Sequence, residues 1–419
     1  MTIRLLYLTR EPHPSFRPDI ATLFGQYLPR HGVHSDLVAL QEGEPAAWAG
    51  GAAHARKATG KLGRLLARLG AACSLFRLAR GGQYQAVQVR DRIGGALIGL
   101  LAARWHGLPF FYWMSFPFVE FWQDVGAGRE AVGASRLRRL VLSARGHLGA
   151  FVLYRLVLPR ADHVFVQSDT MRDMVAKLGI DPAAMTPVPM GVIVPDSLDH
   201  VTASDDPRLA GRKVVIYLGA LERMRHPEVM VEAMVEVARC EPRALLVLVG
   251  DSQTPGDRAW LEQQVLRCGV QDHVLITGWM APAQAWRYLR AASVGLSPIP
   301  CTRVLEMGTP TKVCEYLAYG LPVVANGQPD QAALLAQTGG GLCVPLSAEG
   351  FAQGVLAMLA NPDQARAMAE QGRARIGQLR SYDVLAEQLA AQYRRLLGCG
   401  AGQGAAHTAP HAVSREGAP

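Results

Sequence analysis

The sequence predicts an α/β protein built from two doubly wound, parallel-sheet domains. Three observations predict it. Short apolar runs alternate with helical patterns along the whole chain, which implies βαβ units joined by right-handed crossovers. Those runs are continuous rather than alternating, as expected of strands covered on both faces. A polar, acidic, turn-rich segment, PDSLDHVTASDDPRLAGR, divides the 419 residues into two halves of similar length.

In the first half the strand candidates are IRLLYLT, SDLVAL, YQAVQV, PFFYWM and HVFVQ. In the second they are KVVIYLG, ALLVLVG, VLITG, VGLSPI and PVVAN, with helical segments such as Glu228–Cys240 and Trp260–Cys268 between them. The expected organisation is a first domain over 1–195, a linker over 196–211 and a second domain over 212–380. A helix over 381–397 is expected to return to the first domain. The small, polar tail over 398–419 is expected to be disordered.

Composition narrows the class. With 49% hydrophobic and 19% charged residues the chain is too apolar for a disordered protein. It has no Gly-X-Y period and no heptad run, so it is not fibrous. Seven scattered cysteines, an odd number with no Cys-x-x-Cys pair, argue against a disulfide framework or zinc ribbon. They read as buried small side chains in a reducing compartment. The N-terminal MTIRLLYLTREPHP is no signal peptide, because its short apolar run is bounded by Arg4 and Arg10. Longer apolar stretches are cut by charge. Ile93–Ala103 stops at Arg104, Leu108–Val119 holds two prolines and ends at Glu120, and the run from Leu148 is interrupted by Arg155. A cytoplasmic protein without a membrane span is the expectation.

The candidate chemistry lies at the ends of strands in the second half. KVVIYLG runs into Gly219 and a loop holding Arg223 and Arg225. A glycine there lets a ligand approach the backbone, and arginines supply fixed positive charge. The carboxyl end of a parallel strand is also where such sheets bind ligands. LVLVGDSQ ends at Gly250, and VLITGWM at Gly278 and Trp279; this tryptophan either packs on a ligand ring or joins the core. The most informative segment is GTPTKVCEYLAYGLPVVANG. Thr309 or Thr311 can cap a helix with Pro310 in its first turn. A helix N-terminus offers free N–H groups and partial positive charge to a phosphate. Lys312 in that first turn opposes the dipole, which makes sense if an anion sits between them. Glu315, one turn on, can accept hydrogen bonds from adjacent sugar hydroxyls.

Together these residues resemble glycosyltransferase family 4, nucleotide-sugar-dependent, retaining enzymes of the GT-B fold, in which two Rossmann-like domains face a central cleft. The resemblance runs from about Ala161 to Arg395 and includes ADHVFVQSDTMRD, VPMGV, the Gly219 loop, LVLVGD, VLITGWM, the 309–325 segment and TGGGLCVP. It implies that Arg225, six positions after the strand-end glycine, contacts the donor diphosphate. It also implies that Lys312 adds charge there, that amides near Thr311 meet the phosphate, and that Glu315 holds the ribose. Ser168 would sit in a loop facing the cleft. The family's first glutamate, separated by seven intervening residues from the one at Glu315, falls at Met307 here; Glu306 lies one residue further and reaches the sugar only across a longer loop. No catalytic histidine is evident: the relevant strand offers Ser115, with Glu120 nearby, and His13 lies in the first βα loop. The leaving diphosphate itself can take the acceptor proton in such enzymes, so positive charge around it carries most of the catalysis. No cofactor and no metal site is expected.

The charge is unevenly spread. Residues 56–160 hold 17 Lys plus Arg against 4 Asp plus Glu, an excess of +13 in a chain of net +8, so the remainder sums to −5. RKATGKLGRLLARLGAACSLFRLAR has helical periodicity, with Leu62, Leu65, Leu66, Leu69, Cys73 and Phe76 on one face and Lys57, Lys61, Arg64 and Arg68 along a neighbouring stripe. A second basic, apolar stretch follows at 135–158. Basic amphipathic helices suit an anionic membrane surface, and nothing resembles a nucleic-acid reader. The expected function is transfer of a sugar from a nucleotide diphosphate to a growing, lipid-linked, cell-surface glycan, by a peripheral enzyme on the inner face of the cytoplasmic membrane. The alternatives are a degenerate nucleotide-sugar-binding scaffold of a synthase complex, or an epimerase or phosphorylase on the same fold.

Overall fold

The structure is a computed structural model, and it describes residues 2–129 and 135–398. Two parallel sheets organise it. The first has seven strands: β1 (Ile3–Leu8), β2 (Val33–Gln41), β3 (Ala53–Lys57), β4 (Ala86–Arg90), β5 (Phe110–Met114), β6 (His163–Val166) and β7 (Met185–Pro187). Their spatial order is β3-β2-β1-β4-β5-β6-β7. The second has six: β8 (Lys213–Leu218), β9 (Ala244–Val249), β10 (Val274–Gly278), β11 (Val294–Ser297), β12 (Val323–Asn326) and β13 (Gly341–Val344), in the order β10-β9-β8-β11-β12-β13. In both, the chain starts mid-sheet and winds outward in each direction, so a switch point opens at the carboxyl ends of the central strands.

Each sheet is covered on both faces, which is why its central strands read as unbroken apolar runs. In the first domain Leu6, Leu8 and Val87 face one core, and Leu5, Tyr7 and Ala86 the other. In the second, Val215 and Tyr217 face one core while Val214 and Ile216 face the other. The last two helices, Pro362–Arg380 and Tyr382–Leu396, divide between the domains at Ser381, whose hydroxyl caps the second by accepting from Val384 N. Ile376 of the first helix packs in the second domain. Leu385, Leu389 and Tyr393 pack against Phe24 and Phe111 of the first domain, and the Tyr393 hydroxyl donates to Gln88 Oε1 at 2.5 Å. The tail beyond 398 lies outside the described residues.

Several sequence expectations change. β3, β7 and β13 are additional strands. β3 is an exposed edge bearing His54, Arg56 and Lys57, so it has no apolar run to betray it. Lys57 therefore belongs to a strand, paired with Gln41, and the helix begins only at Gly60. The supposed four-residue basic stripe spans two elements, because Thr59 is extended and Gly60 takes φ +66°. The cysteines are mostly not core residues: Cys314 is buried, but Cys73, Cys240, Cys301 and Cys343 are exposed. The run around Leu148 is not cut short at Arg155. Helix continues over 136–160 and is long and apolar enough to cross a bilayer, by length and composition only. One of its faces is nonetheless part of the domain: Leu153, Tyr154 and Val157 are buried, and Tyr154 Oη donates to the buried Glu120.

Candidate functional site

The carboxyl edges of the two sheets are tied together across a cleft. Ser168, just beyond β6, caps the Asp169–Lys177 helix by accepting from Met171 N at 3.0 Å and donates its hydroxyl to Met307 O at 2.8 Å. Thr309 Oγ1 accepts from Met190 N at 2.9 Å. Arg303 reaches back from the second domain to Gln123 Oε1 at 3.2 Å and Asp124 Oδ2 at 3.5 Å. The loop carrying Arg303, Glu306 and Met307 is braced from below by Gln328, whose amide donates to the carbonyls of Leu305 (3.1 Å) and Gly308 (2.9 Å).

On the second-domain side a pocket of about 350 Å³ is lined by Gly219, Gly250, Trp279, Trp286, Thr311, Lys312 and Glu315, among others. The strand-end glycines shape its floor. Gly219 (φ 142°) and Gly250 (φ 141°) hold conformations that favour glycine, and a Cβ on Gly250 would stand 2.0 Å from Gly219 O. Gly278 (φ 78°) bridges back to Gly250. The roof is the helix Thr311–Ala318. Tyr316 fixes it: its hydroxyl accepts from Leu218 N at 2.9 Å and donates to Leu296 O at 3.2 Å. Its ring lies on Gly295, where a Cβ would meet it at 2.6 Å.

The cap of this helix differs from the sequence expectation. Neither threonine caps it. Pro310 is the N-cap residue and supplies no side-chain bond; Thr309 is spent on Met190, and Thr311 is the first helical residue. The first-turn N–H groups are thereby left facing the pocket without a side-chain partner, as an anion site requires. Lys312 Nζ lies over the Tyr217 ring, 5.0 Å from its centroid, at the mouth of this turn. Glu315 is half-buried behind it. Burial raises its carboxyl above the usual range, and Lys312 and the Thr311 hydroxyl pull it back. Trp279 is an exposed pocket wall rather than a core residue, and Trp286 stacks on Tyr319 at 4.7 Å.

Other expected residues stand elsewhere. Arg223 is not in the pocket: it pairs with Asp257 at 3.1 Å and lies over the Trp260 ring, which braces the loop instead. Arg225 turns onto Glu222 Oε2 at 3.0 Å and lies outside the lining. Ser115 and Glu120 belong to the first domain, Ser115 hydrogen-bonded to Asp91 through both its amide and hydroxyl, Glu120 to Tyr154. His13 is buried with its ring nitrogen on Ala46 O at 2.8 Å, so it has a structural partner. Lys57, Lys61, Arg64 and Arg68 are exposed, and so are Leu62, Leu65, Leu66 and Leu69. That helix buries only its second half, at Ala71, Ala72 and Leu75. Among the described residues no cluster of three metal-ligating side chains occurs.

Sequence reading missed a buried charged knot at the carboxyl end of β4. Arg90, 1% exposed, pairs with Asp19 at 2.7 Å, Asp91 at 3.2 Å and Glu11. Asp91 holds φ 53°, rare for a residue with a side chain, and burial pushes its carboxyl up to about 6. The only available signal was a charged Arg-Asp-Arg run directly after an apolar strand.

The chain resembles proteins of known class. Residues 212–361 match the family model described as "Glycosyl transferases group 1", and residues 21–191 the one described as "Glycosyl transferase 4-like domain". Among curated relatives, D-inositol 3-phosphate glycosyltransferase of Segniliparus rotundus is 30% identical over 193 residues, 45% of this chain and 41% of that protein. The putative teichuronic acid biosynthesis glycosyltransferase TuaH of Bacillus subtilis is 24% identical over 264 residues, 60% of this chain and 64% of its own. The matches thus span less than two thirds of either relative. Anabaena Alr3699/HepE, solved in complex with UDP, superposes with a TM-score of 0.65 at 15% identity, over 94% of this chain and 100% of that one. The fold is GT-B.

Proposed function

The chain belongs to the group 1 glycosyl transferases, and from that membership we propose that it moves a sugar, with retention, from a nucleotide diphosphate to a growing, lipid-linked, cell-surface glycan. The observation that carries this is the meeting of two strand-end glycines, Gly219 and Gly250, with the uncapped helix N-terminus, Lys312 and Glu315 in one pocket at the cleft. A diphosphate laid against the glycines meets the free amides and the Lys312 ammonium. Its ribose hydroxyls come within reach of Glu315, and Trp279 offers a flat face to the base. Arg225 would join them by leaving its half-buried pair with Glu222. The preorganised positive charge then stabilises the leaving group as the sugar–phosphate bond breaks. No metal is invoked.

The relative TuaH is named for teichuronic acid biosynthesis, and the HepE structure holds UDP; both support a polysaccharide acceptor and a nucleotide donor. The exposed leucines and basic residues of 60–69 support a peripheral position at the inner face of the membrane.

Calorimetric titration of the protein with uridine, guanosine and adenosine diphosphates tests the donor half. One of them should bind, and Glu315→Ala should abolish that binding while the melting temperature is kept. Binding that survives the substitution would overturn the donor site.

A further inference from the structure

A second cavity, of about 360 Å³, opens at the carboxyl edge of the first sheet, between the Gly60–Leu78, Ile93–Trp105 and Arg136–Ala150 helices. It lies on the edge that faces the second domain, since Ser168 and Met307 join the two edges beyond β6. It holds roughly a dozen waters' worth of space, more than one phosphate needs.

Its charge is one-sided. Arg10, Arg68, Arg92 and Arg145 line it against one carboxylate, Asp91. That carboxylate is already engaged, by Arg90 at 3.2 Å and by Ser115. Among the described residues none of the four arginines forms an ion pair with a carboxylate. Arg10 and Arg145 instead lie over aromatic rings, 3.6 Å from the Phe118 centroid and 4.0 Å from that of Trp122. Stacking leaves the edge N–H groups of a guanidinium free to bind a planar or phosphate anion. Arg92 donates to Arg68 O at 2.7 Å. Four cations held together against one carboxylate repel one another: burial chiefly lowers the affinity of Arg10, Arg92 and Arg145 for their protons, and the field of Arg68 adds to it. Such an arrangement is unfavourable unless an anion completes it.

The other wall is apolar: Leu65, Leu69, Ile93, Ile98, Leu148 and Val152. This wall does not end at the pocket. On the same two outer helices Leu62 (69% exposed), Leu66 (60%), Leu140 (69%) and Val141 (57%) continue it to the surface. Apolar surface of this extent, rimmed by arginines, marks a binding site for something other than water.

We propose that this pocket binds the diphosphate of a lipid-linked acceptor, with the four arginines on the phosphates and the hydrocarbon chain running out over the exposed leucines. The inference rests on the glycosyl-transfer reading for its direction, because it would place the acceptor across the cleft from the donor. A single lipid seated in the pocket differs from general attraction to an anionic surface. It requires head and chain together, at fixed positions.

The test uses the whole chain and soluble probes: geranylgeranyl diphosphate, geranylgeraniol, inorganic pyrophosphate and phosphatidylglycerol vesicles. Geranylgeranyl diphosphate should bind about tenfold or more tighter than pyrophosphate or the alcohol, and Arg68→Ala with Arg145→Ala should weaken it about tenfold per arginine. The melting temperature of that double variant should hold or rise, since repulsion is relieved. Equal affinity for pyrophosphate, equal affinity for the vesicles, or an unchanged affinity in the double variant would each overturn the proposal. Nucleotide titration of the wild type reads the donor site separately: no nucleotide binding beside intact prenyl-diphosphate binding would sink the transfer reading and support the lipid site.

Discussion

Lys312 lies directly over Gly219: a Cβ on that glycine would stand 3.0 Å from Lys312 Cε and 3.1 Å from its Nζ. The strand-end glycine therefore serves two ends. It leaves the backbone open toward the pocket, and it makes room for the ammonium that sits on the Tyr217 ring. Gly219→Ala should push Lys312 off its seat and strain a backbone at φ 142°. Nucleotide affinity measured by calorimetry should fall about tenfold or more. An unchanged affinity would mean that the two residues do not share a ligand.

Glu315 opposes stability to function. Burial raises its carboxyl, so the ionised form is less favourable in the folded chain than in the unfolded one. Glu315→Gln should raise the melting temperature at pH 7 by about 1–4 °C while removing nucleotide binding. The sign follows from a raised pKa. The wild-type penalty is fully present above the folded value and absent below the unfolded value near 4.3. The two melting curves should thus converge at about pH 4. A variant less stable than wild type at pH 7 would show that the carboxylate is held by favourable contacts instead.

Lys312→Ala should cut turnover about a hundredfold, the usual loss when one donor to a developing negative charge is removed. Its cost to the fold is small, since a half-exposed cation over an aromatic ring contributes about 0.5–1 kcal/mol. A rate loss under threefold in a steady-state assay would make it a surface residue.

How much of this was legible from the sequence depends on how local the cause is. The strands β1, β2, β4, β5, β6 and β8–β12 announce themselves by apolar runs because both sheet faces are covered. β3 does not, since an edge strand with Arg56 and Lys57 carries no such run. That Gly219, Gly250, Lys312 and Glu315 line one pocket was foreshadowed by local signals, a strand-end glycine and a lysine in a helix's first turn. The cap of that helix was misread, because Thr309 is drawn away by an amide 119 residues distant in sequence, at Met190. The four-arginine pocket was hidden for the same reason. Arg10, Arg68, Arg92 and Arg145 come from four separate elements, and only the fold brings them together.

The Thr309 contact can be isolated. Thr309 is 6% exposed, and its hydroxyl is the acceptor for Met190 N between the domains. Thr309→Val keeps the shape but strands that amide, at a cost of about 1–3 kcal/mol. Thr309→Ser keeps the acceptor and should stay within about 1 kcal/mol of wild type. Urea unfolding should separate the two variants, and equal midpoints would mean that water replaces the hydroxyl.

His163 gives the docking of the last helix a pH dependence. It is buried in β6, its Nε2 at 2.7 Å from Thr186 Oγ1, with the Gln392 amide 3.0 Å from the same hydroxyl. Burial and the nearby Arg395 charge lower its pKa to about 4. The folded chain thus keeps the ring neutral while the unfolded chain protonates it near 6.5. A lowered histidine pKa means that stability is full above the unfolded value and falls as the pH drops from about 6.5 to about 4. Melting temperatures measured over that window should decline, and His163→Gln should flatten the decline while leaving other carboxylate-driven losses below pH 4 in place. A slope equal to wild type in the variant would assign the acid sensitivity to another group.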